Sequence, residues 1–214
     1  MQHLAEFFEQ GGFFMYVNLV CSVITIGIIV ERAIFFLGKG SVNSRAFLEQ
    51  IRKLVMANNV DRAIKLCSAT EAPIAQVARA GLVRLPKGEA AVATGVEEAL
   101  TDVSPELKKR ISVLWSLANI ATLIGLLGTI TGLIGAFAAV GKAAAEQRSQ
   151  LLALKIAEAM NNTALGLGIA ATCMIGHVFL NAVSKRQQHE LESFAMKLEN
   201  LLADVQQAGG GTGR

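Results

Sequence analysis

The sequence predicts an all-α membrane protein with three transmembrane helices and a cytoplasmic helical domain. Three observations predict it. Long apolar runs, almost free of charge, lie within 13–37, 111–140 and 151–184. Hydrophobic residues make up 52% of the 214 and charged residues 17%, below the roughly one quarter charged that soluble domains carry. Between the first two runs, charged and apolar residues alternate with helical period, and no period-two alternation marks a strand.

The first element is an N-terminal segment, 1–12, without basic residues. Glu6 and Glu9 stand where a secretory signal would carry positive charge, so the following run is expected to be retained as a span. That run, 13–37, exceeds the roughly 20 residues a helix needs to cross the hydrocarbon core. Phe7, Phe8, Phe13, Phe14 and Tyr16 cluster at its start, as aromatics do at an interface. Glu31 and Arg32 near its end can reach the headgroups, and Gly38-Lys39-Gly40 ends it.

Residues 38–110 read as a compact set of soluble helices. Phe47, Leu48, Ile51, Leu54 and Val55 mark one helical face, with Arg45, Glu49, Arg52 and Lys53 opposite. Asn58-Asn59 breaks the pattern and Asp61 is placed to cap a second helix. Pro73 starts a third, running to Leu85, and Pro86-Lys87-Gly88 makes a turn. Helix resumes from Glu89, and Ser104-Pro105-Glu106 resembles a further helix start. The second span, 111–140, would be roughly 45 Å long, more than the core requires. A polar loop, 141–150, leads to the third span, 151–184. A mixed-charge amphipathic helix follows to about Val205, and Gly209–Gly213 is expected to be a flexible tail, within a 185–214 C-terminal segment.

Orientation follows from the basic residues. Residues 38–110 hold twelve Lys or Arg, the segment 141–155 three, and residues 1–30 none. The excess of positive charge places 38–110 in the cytoplasm. The N-terminus and the 141–150 loop then lie outside and the C-terminus inside.

Several chemistries are excluded. A net charge of +3 leaves no nucleic-acid footprint. Cys21, Cys67 and Cys173 are far apart and lack metal-site spacing, so they read as small buried apolar residues. Gly166-Leu167-Gly168-Ile169-Ala170-Ala171 matches a dinucleotide fingerprint formally, but no strand precedes it. No phosphate-binding loop, nucleophile–base set or cofactor motif is present, so the protein is not expected to be an enzyme.

What remains is a patterned second span. Gly125, Gly128, Gly132 and Gly135 fall three, four and three apart, one stripe of a helix. Small residues at that spacing let transmembrane helices approach closely; Gly166 is a further packing position on the third span. Glu158, Asn161, Asn162 and Thr163 carry polarity into that span, where charged groups are costly and commonly mark ion pathways. Thr129 precedes the 141–150 loop by about a dozen residues and Thr163 follows it by about a dozen. Antiparallel helices then bring the two to similar depth. Lys155 or Lys142 is available to pair with Glu158. Thr122 and Thr131 are expected either to share a polar path with Thr129 and Thr163 or to bond backbone carbonyls, the commoner role of a membrane threonine; His177 could touch a proton path but is expected rather to pack against backbone or a neighbouring helix.

At this point the chain resembles the MotA/TolQ/ExbB proton-channel family, closest to its ExbB and TolQ branch. The carriers are Gly125-Leu126-Leu127-Gly128-Thr129-Ile130-Thr131-Gly132, and Ile156-Ala157-Glu158-Ala159 followed by Thr163-Ala164-Leu165-Gly166-Leu167. Glu31-Arg32 and Ala72–Leu82 are weaker parts of the likeness. The resemblance implies a homopentamer in a bacterial inner membrane, with the second and third helices lining a central pore. The pore would hold a single-span partner resembling ExbD or TolR, with an aspartate in its helix. Thr129 and Thr163 would correspond to pore threonines and Glu158 to a pore glutamate. The implied function is a stator subunit that uses proton-motive force for envelope work such as outer-membrane import, envelope maintenance or gliding. Thr122 stands where the family often has proline, and Ile169–Thr172 also lacks one, so the third helix is expected to be straighter. The rival reading is a non-conducting scaffold for a membrane complex. A small-solute transporter is a weaker third, since no interrupted helix marks a binding site.

Overall fold

A computed structural model describes residues 12–38 and 42–210. The N-terminal aromatics Phe7 and Phe8, the glutamates before them and after them, the Lys39-Gly40 stop and the tail beyond Gly210 lie outside the described residues. Every regular element among those described is helical: α1 (Gly12–Gly38), α2 (Ser44–Met56), α3 (Val60–Ser68), α4 (Pro73–Arg84), α5 (Glu89–Lys108), α6 (Ile111–Lys142) and α7 (Arg148–Gly210). Single 3₁₀ turns, Leu85–Lys87 and Ala145–Gln147, join α4 to α5 and precede α7. Helices α1, α6 and α7 are long and apolar enough to cross a membrane.

The chain divides into two units. One comprises the chain up to Glu31 with Arg110–Leu180; the other comprises Arg32–Lys109 with the chain from Asn181 onward.

The first unit is built on small residues inside and large apolar residues outside. Leu117, Ala118, Ala121, Ile169, Ala170 and Cys173 form its core, with Ile28 and Leu165 against them. Leu123, Leu126, Ile130, Ile134 and Phe137 of α6, and Ile175, Val178 and Phe179 of α7, are exposed. In water such a surface would drive aggregation. In lipid it is the expected arrangement, since the chains of the bilayer are as apolar as leucine. The protein is therefore a multi-pass membrane protein.

The second unit buries an apolar core of its own. Phe47, Ile51 and Val55 of α2 are buried, as are Ala63 and Cys67 of α3, most of α4, and Val92, Val96, Val103 and Leu107 of α5. Leu191, Phe194, Leu198 and Leu202 of α7 join this core. Phe47 and Phe194 rings stand 6.2 Å apart. Ser184 donates to the Leu107 carbonyl at 2.8 Å, and Gln206 Nε2 to the Leu85 carbonyl at 2.6 Å. Burial lifts the Cys67 thiol to about 11, against a small opposing pull from Arg79, so it stays a protonated apolar filler.

The helix boundaries differ from expectation in four places. Asn59, not Asp61, precedes α3, leaving Asp61 in the first turn where its charge suits the helix dipole. Pro105 lies inside α5 and starts nothing. The missing proline N–H costs one helical bond, but continuing the helix buries Val103 and Leu107. The loop before α7 shrinks to a few residues, because α6 runs to Lys142 and α7 begins at Arg148. Finally, the third span and the amphipathic helix after it are one 63-residue helix with no break, reaching through Gly209 and Gly210. No residue between 148 and 208 is a proline, so nothing in the sequence interrupts the ladder.

Glu199 of α7 makes one pH prediction. Burial, and the neighbouring Glu97 carboxylate second, raise its pKa above the usual 4.5. The folded chain thus holds that proton more tightly than the unfolded chain. Stability from this group is fully present below the unfolded value and is lost as pH climbs through the raised one. Glu199→Gln is expected to flatten that part of the pH–stability curve and to raise stability at neutral pH. Thermal melts from pH 4 to 8 read it; an unchanged profile would rule it out.

Candidate functional site

The site lies where α6 and α7 come closest. An added Cβ at Gly166 would stand 2.6 Å from the Ala121 carbonyl oxygen and 3.1 Å from Gly125 Cα. One at Gly125 would meet the Asn162 carbonyl oxygen at 2.9 Å, and one at Gly128 the Asn162 side chain at 2.8 Å. At Gly132 it would meet Ala159 Cβ at 2.8 Å. These contacts are tighter than side chains tolerate, so hydrogen in place of a methyl permits the approach. Gly135 differs, with open space around it.

That approach brings the two threonines together. Thr129 and Thr163 hydroxyls hydrogen-bond each other. Thr129 also lies 3.0 Å from the Ala159 carbonyl and 3.2 Å from that of Gly125, and Thr163 lies 3.3 Å from the Gly125 carbonyl. Each hydroxyl has one proton to give and two lone pairs, so the pair has more acceptors in reach than it can serve at once. It can exchange partners without leaving a donor unmet. Thr122 and Thr131, by contrast, donate to backbone carbonyls one turn back, at 3.0 and 2.9 Å.

Glu158 sits one turn from Asn162 and five residues before Thr163, in a cleft of about 410 Å³. Gly128, Thr131, Gly132 and Gly135 form one wall, and Lys155, Glu158, Ala159 and Asn162 another. Only 16% of the Glu158 side chain is exposed, and Lys155 Nζ lies 2.5 Å from its carboxylate. Of the two lysines available by sequence, the structure thus pairs Lys155 with it.

Two further polar features are buried deeper in the unit. Thr25 and Cys173 share a 3.1 Å hydrogen bond. Asn18 of α1 is wholly buried beside Gly166, and neither polar atom of its side chain has a partner among the described residues. Sequence reasoning passed over Asn18, although it is the sole carboxamide in the 13–30 run. His177 donates from Nδ1 to the Ile111 carbonyl at 3.0 Å, with its ring 6.1 Å from Trp115. Among the described residues no group of His, Cys, Asp or Glu is arranged to hold a metal, and the three cysteines are free and buried.

Comparison with known families decides what this helix pair belongs to. The model of the MotA/TolQ/ExbB proton channel family matches residues 69–193, more than half of the chain. The chain belongs to that family. The match runs from just before α4 into the part of α7 that belongs to the second unit, and includes every glycine, threonine and carboxylate of the α6–α7 site. The chain is also similar, at 27% identity over 172 residues, to a protein of Synechocystis described as biopolymer transport protein ExbB-like 3. The alignment covers 79% of this chain and 81% of that one. MotA/TolQ/ExbB proteins form a proton-channel family, not a known enzyme family.

Proposed function

We propose that this chain is the stator subunit of a proton-driven motor in a bacterial inner membrane, working with a single-span partner resembling ExbD or TolR. The observation that carries the reading is the hydrogen-bonded pair Thr129–Thr163 on facing helices, with Glu158 in the adjoining cleft, in a chain of the proton-channel family. In this reading five copies surround the partner's helix, α6 and α7 face the pore, the N-terminus is periplasmic and the C-terminus cytoplasmic. The excess of basic residues in 38–110 supports that orientation.

A proton entering from the periplasm binds the partner's aspartate beside the threonines. When ionised, that carboxylate accepts hydrogen bonds from Thr129 and Thr163; when protonated, it tolerates the apolar wall between one subunit's threonine pair and the next. Alternation between the two states turns the ring relative to the partner. Each charge crossing the membrane releases about 2.3 kcal/mol per 100 mV, comparable with one or two charge-assisted hydrogen bonds at about 1.5–3 kcal/mol each. Binding and release are therefore matched in scale to the driving force. Glu158 shapes the field at the cleft, and the glycines set the wall spacing. Outer-membrane import, envelope maintenance and gliding are the kinds of work this device would drive.

Proton flux into liposomes tests the reading. Flux is expected when the chain is reconstituted with its single-span partner and not when the chain is alone. No flux under either condition would favour a scaffold that only positions other proteins.

A further inference from the structure

A second cleft, of about 820 Å³, opens within the second unit between the start of α2 and α7. The rings of Phe47 and Phe194, 6.2 Å apart, hold the two helices at their spacing. Arg45 lines one wall, Arg186 and Lys197 the other, and Glu190 is the one carboxylate among the described lining residues. His189 is turned to Glu192, 3.6 Å away. The undescribed residues that adjoin Val42 in sequence, Lys39-Gly40-Ser41, bring one more cation and no acid. The undescribed Glu6 and Glu9 precede the far end of α1. Arg45 and Lys197 form no ion pair among the described residues. Arg186 lies 3.1 Å from Glu190, but both side chains are open to water, 82% and 47% exposed, and a pair of that kind contributes little. Asn43 Oδ1 accepts from the Arg45 and Ala46 amides at 3.1 and 3.2 Å, so the end of α2 is already capped. An anion in this cleft is held by side chains.

We infer that Arg45 and Arg186 seat the phosphate group of an anionic phospholipid at the membrane end of this cleft. Chain connectivity sets the depth. Val183 is the last exposed apolar residue of the α7 span and Lys185 the first charge after it, so Arg186 stands at the headgroup layer. Val42 follows the end of α1 by four residues, and with Ser44 it lines a smaller pocket beside Gln187, Glu190 and Leu191. The start of α2 is therefore level with the first turns of α7 after the span. Guanidinium forks match phosphate oxygens two at a time, and basic pockets on the cytoplasmic side of membrane helices take anionic headgroups. Leu48 and Phe194 in the same lining suit the glycerol carbons. A zwitterionic headgroup fits less well, because it brings its own cation into a cleft where cations already outnumber acids. Lys197 takes no part. It lies eleven residues beyond Arg186, about 16 Å along the helix, whereas the headgroup layer is roughly 5–7 Å thick on each side. The site does not rest on the motor reading, since a scaffold would hold the same lipid.

Melting temperatures of the detergent-purified full-length chain test the site. Short-chain phosphatidylglycerol at tenfold its dissociation constant is expected to raise the midpoint by about 4 °C. Phosphatidylcholine, and soluble glycerol 3-phosphate at the same concentration, should each raise it by under about 1 °C. Arg45→Gln/Arg186→Gln is expected to bind phosphatidylglycerol about 30-fold more weakly, which cuts its shift to under about 1 °C. Arg62→Gln/Lys65→Gln removes the same charge from exposed positions on α3 and should keep most of the shift, as should Lys197→Gln. If the Arg45/Arg186 double variant does not fold, Arg186→Gln alone is read, with a loss of about fivefold in affinity. A full shift in the Arg45/Arg186 variant overturns the inference, as does an equal loss in the α3 control, which would mean that any surface charge serves. A glycerol 3-phosphate shift equal to that of the lipid would make the cleft a site for a soluble anion and also overturns it. Proton flux plays no part in these measurements, so a failed motor reading and a failed lipid site show separately.

Discussion

Gly166→Ala is expected to reduce the folded subunit several-fold in the membrane, although alanine is the better helix former. The new Cβ would lie 2.6 Å from the Ala121 carbonyl oxygen and 3.1 Å from Gly125 Cα. Both neighbours are backbone, so no side chain can rotate away and the helices themselves must part. Overpacking of this kind costs about 1–3 kcal/mol, set against a propensity gain of roughly 1 kcal/mol. The balance is a net loss of up to about 2 kcal/mol, and the upper half of that range changes cellular abundance several-fold. Gly168→Ala is the control: it lies on the same helix, and nothing stands within 4 Å of the added atom. Immunoblots of membrane fractions, with melting curves in detergent, would compare the two. Equal abundance and stability would mean the close approach is not required.

Thr163→Val is expected to leave folding intact and to lower partner-dependent proton flux by about 10- to 100-fold. Valine matches threonine in shape and branching, so the α6–α7 contact keeps its packing. What disappears is the hydroxyl that bonds Thr129 and reaches the Gly125 carbonyl. If that hydroxyl also serves an ionised carboxylate in the pore, its loss removes about 1.5–3 kcal/mol, and each 1.36 kcal/mol is tenfold in rate. Thr163→Ser should retain most of the flux. Full flux and full partner-dependent work in Thr163→Val, at equal expression, would exclude the assigned role.

Much of this architecture was legible because membrane helices advertise themselves. Three apolar runs cannot be soluble, and a glycine stripe at helical spacing has few uses besides close packing. The depth match of Thr129 and Thr163 followed from counting residues on either side of one turn. What escaped has a common cause. The sequence pattern changes sharply at Lys185, from apolar to mixed charge, yet the backbone does not register the change. Helix α7 runs on because the ladder of i to i−4 bonds depends on propensity and not on what the side chains face. Pro105 misled for the opposite reason: its local preference to begin a helix yielded to the burial of Val103 and Leu107. Asn18 escaped because a single amide leaves no periodicity. That Gly135 packs against nothing while Gly125, Gly128 and Gly132 are in contact was equally invisible, since all four satisfy the same spacing rule.

Asn18 has a dynamic consequence. A carboxamide closed off from lipid and given no partner among the described residues holds its helix less firmly than a leucine of the same size would. The other two helices of the spanning unit are tied by glycine contacts and by the threonine pair. Local opening in that unit should therefore begin with α1 lifting from its seat, a low-energy fluctuation graded well below global unfolding. The subunit is in that sense hinged at its first helix and clamped at the other two.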